Sequence, residues 1–362
     1  MARSKADIGR TNSTPQGTSR WSKGWMVGGG LGFVLLAIVA VVGLNMFNPW
    51  SNGAEPPGKK NGDEFASDRD APATDPVPFD GKRAMGYLED ICKIGPRISG
   101  SDGMKKQQQL LEKHFKDLGG KIEWQRFEAK QRSRRDKVEM ANLIVSWNPD
   151  KERRIIICAH YDTRPIADQE RERRNWTEPF LSANDGGSGV ALMMELAHAM
   201  KDLKTNVGVD FVLFDGEEYI FEPGDFENPR DDYFIGSKHF AAEYRKKRDR
   251  VKYLGAVLLD MIGGKNPHFP MEPYSYTKAG ALTERIWKIA EDQKCTAFKN
   301  VISDTEVQDD HIALNNAGIP AVDIIDFSYK HWHKLSDVPA NCSADGLEQV
   351  ARVLGVWMQQ AK

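Results

Sequence analysis

The stretch Val209-Asp210-Phe211-Val212-Leu213-Phe214-Asp215-Gly216-Glu217-Glu218 is an apolar run that ends in a glycine turn and two adjacent carboxylates. Its mostly β-branched and aromatic residues are typical of a strand buried on both faces. Such strands form parallel sheets covered by helices, and open sheets of this kind bind ligands at the carboxyl ends of their strands. Two neighbouring glutamates cannot point the same way, so one can ligate a metal while the other stays free as an acid or base. A solvated acidic turn is the alternative, and the rest of the chain decides between them.

Two further buried strands also end in groups that can bind a metal. The run 155–159 leads into His160, and the run 254–259 leads into Asp260. Asp162 lies two residues after His160, on the same side of an extended chain, where it can orient the imidazole ring. A single histidine at a strand end is more often a structural hydrogen-bonding group, but three strands with such endings predict one common site.

Asp185 stands just before the apolar helix predicted at Val190 to Met200, in a glycine-rich segment. A carboxylate at this place can cap the helix or bridge metal ions, and the two roles are compatible. The alternation of buried strands and helices predicts a mixed, mainly parallel sheet with helices on both faces. The remaining predicted elements are an edge strand at 122–127, strands at 141–147 and 321–325, and helices at 104–118, 236–244 and 345–358.

The amino-terminal part of the chain has a different composition. Residues 1–24 form a basic arm, and Trp25 to Phe47 contains 23 residues without a charge. That length spans a bilayer core of about 30 Å as a helix, and the preceding basic residues predict that the arm stays in the cytoplasm. A cleaved signal peptide is the alternative. Residues 48–78 have the composition of a disordered tether, so we expect an extracytoplasmic catalytic domain at 79–362.

Overall charge and cysteine content limit the possible functions. A net charge of −2 over 362 residues argues against a nucleic-acid-binding surface. The four cysteines are widely spaced and form no CxxC pair, so a zinc–thiolate site is not expected. Disulfide pairing and buried free thiols both remain open.

Histidine and carboxylate ligands without thiolate suit zinc in a hydrolytic type of site with an open coordination position. The ordered motifs resemble the zinc-dependent aminopeptidase superfamily, which also contains animal glutaminyl-peptide cyclotransferases. This resemblance covers residues 78 to 358. It rests on the following motifs: His160-x-Asp162, Asn184-Asp185-Gly186, Gly216-Glu217-Glu218, Asp260 and Trp332-His333.

The resemblance implies an α/β/α sandwich and a role for each motif residue. Asp185, Glu218 and His333 correspond to zinc ligands, and Glu217 corresponds to the free general base and acid. His160 and Asp260 correspond to ligands of a second zinc in the two-metal aminopeptidases. Cyclotransferases keep both positions with a single zinc, so we expect one zinc ion in a cyclotransferase and two in an aminopeptidase.

Three features of the resemblance favour the cyclotransferases. The run Gln308-Asp309-Asp310-His311-Ile312 is similar to their signature, and Asn266 to Pro270 is similar to one of their loops. Trp332 matches an aromatic wall for the substrate glutamine. By this resemblance Asp260 and Asp309 hold the substrate amine and the leaving group, while Trp332, Gln308 and His311 contact the substrate.

Other positions depart from the family pattern. Asp323 stands where the family has a histidine, and Pro223 stands about where it has a pocket tryptophan. Cys158 is displaced by one position from a cysteine that the animal enzymes use in a disulfide. These departures concern the substrate pocket more than the metal ligands.

The sequence therefore predicts a zinc-dependent glutaminyl-peptide cyclotransferase that acts on the amino termini of peptides or proteins. A two-zinc aminopeptidase that releases amino-terminal residues is the alternative, with Glu217 activating a metal-bound water. An inactive binding ectodomain is a third possibility, but it predicts missing ligand positions, and every ligand position is filled here.

Overall fold

A computed structural model of the chain describes residues 74, 76–225, 228–247 and 250–362. The predicted basic arm, the predicted anchor at Trp25 to Phe47 and nearly all of the predicted tether lie outside these residues. Within the described residues, no helix combines the length and the apolar composition that crossing a membrane requires.

A six-stranded mixed sheet forms the centre of the domain. Its strand order is β1-β2-β4-β3-β7-β10, with β4, β3, β7 and β10 mutually parallel and β1 antiparallel to β2 at one edge. The predicted mainly parallel sheet and the predicted edge strand are thus confirmed. The strands are β1 (Lys121–Ala129), β2 (Val138–Trp147), β3 (Arg153–His160), β4 (Gly208–Phe214), β5 (Gly224–Asp225), β6 (Asn228–Pro229), β7 (Lys252–Asp260), β8 (Phe269–Met271), β9 (Phe298–Ile302) and β10 (Ala321–Ile325).

Helices cover both faces of this sheet because the central strands are apolar on both sides. In β3, Ile155, Ile157 and Ala159 pack with α1, α2, α3, α5 and α7, whereas Ile156 and Cys158 pack with α4 and α6. Alternate residues of a strand point to opposite faces, so β3 contributes to both cores. The helices are α1 (Gly81–Lys93), α2 (Asp102–Asp117), α3 (Ser188–Met200), α4 (Ile235–Lys247), α5 (Pro273–Asp292), α6 (Asp310–Asn316) and α7 (Ala344–Gln360).

All four cysteines are buried free thiols. Burial raises the pKa of each thiol, and the pKa of Cys92 reaches about 11. The structure therefore favours the free-thiol alternative over disulfide pairing.

The turn after β4 aims the two glutamates at the carboxyl edge of the sheet. Gly216 adopts a left-handed conformation with φ of +73°, and a Cβ atom there would lie 2.6 Å from the sulfur of Met140. Asp215 holds the start of the turn in place, because its carboxylate accepts hydrogen bonds from the Ser99 hydroxyl at 2.6 Å and the Ala141 amide at 2.8 Å.

Replacing Asp215 by Asn should change how stability depends on pH. Burial raises the pKa of Asp215 to about 7, and the charge of Asp162 adds to the shift. A carboxyl group whose pKa is raised by folding stabilises the folded state below its unfolded pKa of about 4, and this stability is lost as the pH rises to about 7. Over this pH range, the free energy of unfolding measured with urea should therefore fall by about 4 kcal/mol more in wild type than in Asp215→Asn. A difference independent of pH would contradict the raised pKa.

Candidate metal centre and active site

Five chain segments bring the predicted metal-binding residues to one place. His160 and Asp260 are the last residues of β3 and β7, and Glu217 and Glu218 follow β4 by a tight turn. Asp185 precedes α3, and His333 lies in a turn after β10 with a left-handed backbone φ of 51°. A histidine held in this strained conformation is typical of a functional position.

The ligand atoms form three overlapping sets: two share Asp185, and the third combines His160, Glu217 and Glu218. In the first set, His333 Nε2 lies 3.1 Å from Glu218 Oε2 and 3.6 Å from Asp185 Oδ2. In the second set, His160 Nε2 lies 3.1 Å from Asp185 Oδ1 and 3.5 Å from Asp260 Oδ1. Each oxygen of Asp185 therefore faces a different histidine, which is the geometry of a bridging carboxylate.

Both sets that share Asp185 fit a metal ion. All five side chains are buried, and in each set the ligand atoms lie within 4.8 Å of one another. Asp185 Oδ2 and Asp260 Oδ1 are buried without a hydrogen-bond partner, which is costly unless a cation completes the site. The donors are nitrogen and carboxylate oxygen, as zinc prefers in sites that keep an open position.

Asp185 does not cap α3. The cap residue is Gly187, and the helix has no side-chain capping bond. Instead, the carboxylate of Asp337 holds the Asp185 loop by accepting hydrogen bonds from the amides of Asn184 at 2.9 Å and Asp185 at 3.1 Å. The side chain of Asp185 is thereby left to face the two histidines.

Asp162 supports the glutamates more directly than it supports His160. Its carboxylate accepts hydrogen bonds from the amides of Glu217 at 3.1 Å and Glu218 at 3.2 Å. The separation from His160 Nδ1 is 3.6 Å, longer than a hydrogen bond. Asp162 therefore faces the His160 ring as an ion-pair partner and also fixes the turn that carries both glutamates.

Glu217 is the carboxylate of the pair that lies outside both ligand sets containing Asp185. Its side chain is 13% exposed, borders the cavity, and has Oε2 3.7 Å from His160 Nδ1. Burial raises the pKa of Glu217 well above its ordinary value, and the positive charge of His160 offsets only part of this shift. A carboxyl group with a raised pKa is suited to general acid–base chemistry.

A cavity of about 880 Å³ opens over the metal-binding residues. This volume exceeds what one glutamine side chain fills, so several residues of a peptide can enter. Trp332 forms one wall. The centroid of its ring lies 4.0 Å from the centroid of the His333 ring and 5.0 Å from that of the Phe327 ring. The predicted site residues that border the cavity are Asp185, Glu217, Glu218, Asp260, Gln308, Asp309, Trp332 and His333.

His311 does not reach this cavity, contrary to its predicted contact with substrate. Asp309 caps α6, and the residues of α6 that border the cavity are Ile312, Ala313 and Asn316, at helical spacing from Asp309. His311 lies between these positions and turns inward, where its Nε2 is 3.2 Å from Glu272 Oε2.

Asp323 occupies a buried position behind Asp309. Its Oδ2 lies 3.9 Å from Nδ1 of the inward-facing His311. Burial raises the pKa of Asp323 well above its ordinary value, and the charge of Asp309 adds to this. Pro223, the other departure from the family pattern, borders the cavity.

Sequence reasoning missed the supports of this centre. Asp168 Oδ1 lies 3.0 Å from His333 Nδ1, and Arg164 binds Asp168. Asp337 holds the Asp185 loop from a position 152 residues further along the chain. The only sequence signal was that Asp337 follows His333 by four residues, and nothing in the sequence linked Asp168 to His333.

The chain belongs to peptidase family M28, whose family model matches residues 142–358. This match contains every predicted metal-binding residue.

Within this class, similar proteins include enzymes of both predicted types. A glutaminyl cyclase of Fimbriiglobus ruber is 52% identical, with a TM-score of 0.78 over 80% of this chain and 98% of that chain. A leucine aminopeptidase precursor of Bacteroides thetaiotaomicron is 27% identical, with a TM-score of 0.74 over 80% of this chain and 100% of that chain. A glutaminyl-peptide cyclotransferase-like protein of Bos taurus is 23% identical over 73% of this chain and 72% of that protein. The resemblance to glutaminyl cyclases within the aminopeptidase-like superfamily is confirmed.

Proposed function

We propose that this chain is a zinc-dependent glutaminyl-peptide cyclotransferase, which converts amino-terminal glutamine of peptides into pyroglutamate and releases ammonia. The similarity to the Fimbriiglobus ruber glutaminyl cyclase supports this activity. The observation that carries it is the juxtaposition of Glu217, Asp260 and Asp309 in one cavity with Trp332. Cyclisation moves a proton from one nitrogen to another, and carboxyl groups beside the set of Asp185, Glu218 and His333 can accept and return it.

Asp185, Glu218 and His333 would hold the zinc ion, which when bound supplies Lewis-acid polarisation of the γ-carbonyl group of glutamine. Glu217 takes a proton from the α-amine as its nitrogen attacks Cδ, the carbonyl carbon of the side-chain amide. A new C–N bond forms, the bond from that carbon to the amide nitrogen breaks, and Glu217 returns the proton so that ammonia can leave. The carboxyl group is thus regenerated in each cycle.

Asp260 and Asp309 orient the reacting nitrogens. Burial and the negative charge of Asp260 raise the pKa of Asp309 well above its ordinary value. Carboxyl groups placed this close cannot all ionise freely, so they share protons and can donate as well as accept hydrogen bonds. Trp332 provides an apolar wall for the methylene groups of the glutamine side chain.

A two-zinc aminopeptidase is the second candidate function. The bridging geometry of Asp185 and the complete set of His160, Asp185 and Asp260 favour it. In this reaction Glu217 would take a proton from water, and the amino-terminal residue would be released by hydrolysis.

A direct assay separates the two functions. The full chain, purified with zinc, is mixed with a glutamine-initiated peptide and a leucine-initiated peptide, and the products are read by mass spectrometry. We expect loss of one ammonia from the first peptide and no change in the second. Release of a free amino acid from either peptide would establish the aminopeptidase, provided that the Glu217→Gln variant purified in the same way lacks it.

We further propose that Trp25 to Phe47 anchors the chain in the membrane with the catalytic domain outside the cytoplasm. The uncharged run of 23 residues and the basic arm before it support this location. Release of the full-length chain from membranes by high salt alone, without detergent, would contradict it.

A further inference from the structure

The buried guanidinium group of Arg164 lies against the metal-binding residues without belonging to them. Arg164 is 2% exposed and follows the end of β3 by four residues. It binds Asp168 through two parallel hydrogen bonds, Nε to Oδ1 at 3.0 Å and Nη2 to Oδ2 at 2.7 Å. Asp168 Oδ1 also lies 3.0 Å from His333 Nδ1 in an ion-pair contact, so Arg164 fixes the carboxylate that faces this histidine.

Arg164 also contacts a second metal-binding residue. Its backbone amide donates a hydrogen bond of 2.9 Å to Glu218 Oε1. Its Nη1 atom is buried without a hydrogen-bond partner and lies 3.9 Å from Glu218 Oε2. Glu218 and His333 are therefore both held by residue 164, one directly and the other through Asp168.

The charge of Arg164 suits this position. The buried carboxylates of Asp185 and Glu218 and the largely covered carboxylate of Asp168 crowd around this half of the centre. A buried cation within about 4 Å lowers the cost of keeping such groups ionised. Lysine could supply the charge but not the two parallel hydrogen bonds that define the orientation of Asp168.

We propose that Arg164 is a positioning residue of the metal centre: through Asp168 and Glu218 it preorganises the ligand set of Asp185, Glu218 and His333. This inference rests on the metal-binding set of the proposed function. Arg164 borders the cavity, but its hydrogen bonds go to Asp168 and Glu218, and its free Nη1 atom is buried and faces Glu218.

Arg154, near the other end of β3, offers a matched control. It is 3% exposed and binds Asp210 in the same way, Nε to Oδ2 at 2.8 Å and Nη2 to Oδ1 at 2.6 Å. It lies near the start of β3, whereas Arg164 follows its end, so the two ion pairs are at opposite edges of the sheet. Removing either guanidinium takes the positively charged partner away from a largely covered carboxylate and should lower the melting temperature.

The test measures metal binding by the full chain. Zinc dissociation constants are obtained by competition with a chelating dye, and the absorption spectrum of bound Co²⁺ reports the geometry of the ligands. Arg164→Met should raise the zinc dissociation constant about 10–100-fold and change the cobalt spectrum. Arg164→Lys should have a smaller effect, and Arg154→Met should leave both properties unchanged.

Wild-type zinc affinity and an unchanged cobalt spectrum in Arg164→Met would overturn this role, even if the melting temperature falls. If Arg164→Met does not fold, Asp168→Asn tests the same connection with a side chain of unchanged shape. Unaltered zinc affinity in Asp168→Asn would then overturn the inference. Failure of the wild-type chain to bind zinc would instead remove the metal centre of the proposed function itself.

Discussion

Replacing Glu217 by Gln should lower kcat for cyclisation of a glutamine-initiated peptide by about 10²–10⁴-fold, because a positioned proton carrier contributes on this order. The amide keeps the size of the side chain but cannot accept the proton of the substrate amine. Steady-state kinetics with ammonia detection measure the effect. Zinc content should stay at the wild-type level, since Glu217 belongs to neither set that contains Asp185.

A second buried glutamate provides the control for this substitution. Glu195 is fully buried in α3 and binds Arg83 by two short hydrogen bonds of 2.7 Å, away from the cavity. Glu195→Gln removes a buried charge of the same kind, so it should cost stability but little activity. Substantial turnover by Glu217→Gln would refute its role as proton carrier, whatever the result for Glu195→Gln.

Replacing Glu218 by Gln should abolish stoichiometric zinc binding. Loss of a supporting group around a metal typically costs about 10–100-fold in affinity, and loss of a direct carboxylate ligand should cost at least as much. Activity should fall with zinc occupancy and recover partly at high zinc concentration. Wild-type zinc content in a folded Glu218→Gln chain would remove Glu218 from the ligand set.

The variant Asp260→Asn tests whether the chain binds one zinc ion or two. In a one-zinc cyclotransferase, wild type and Asp260→Asn should both bind one zinc per chain by elemental analysis. A wild-type content of two zinc ions that drops to one in Asp260→Asn would instead support the aminopeptidase. The same samples therefore test the ligand set and decide between the proposed functions.

The central sheet was predictable because its buried strands are short apolar runs that end in polar or charged residues. Ile155 to Ala159 and Leu254 to Leu259 lie in β3 and β7 as expected, each with its functional group at the end. The helix α5 was not predicted. It contains a glycine, Gly280, next to a kink at Ala279, which interrupts the apolar periodicity that identifies a helix.

Resemblance to a known family predicted the metal-binding residues better than it predicted the pocket. His311 lies within a motif shared with the cyclotransferases, yet the helical geometry after Asp309 turns it away from the cavity. The supports from Asp168 and Asp337 depend on contacts between distant segments, and spacing along the chain contains no information about them. Local pattern therefore predicted which residues come together at the sheet edge, whereas the contacts that hold them are a property of the folded chain.

The two oxygens of Asp185 face different histidines, and this arrangement bears on how the reaction of this fold could change. One carboxylate already serves both ligand sets, so a change between one-metal and two-metal chemistry requires no new ligand. Selection or an engineer could alter the reaction by changing the cavity wall around Asp309 and Trp332 while the inherited donors stay in place. The same donors could thus serve either metal count, and the residues of the cavity wall would decide the reaction.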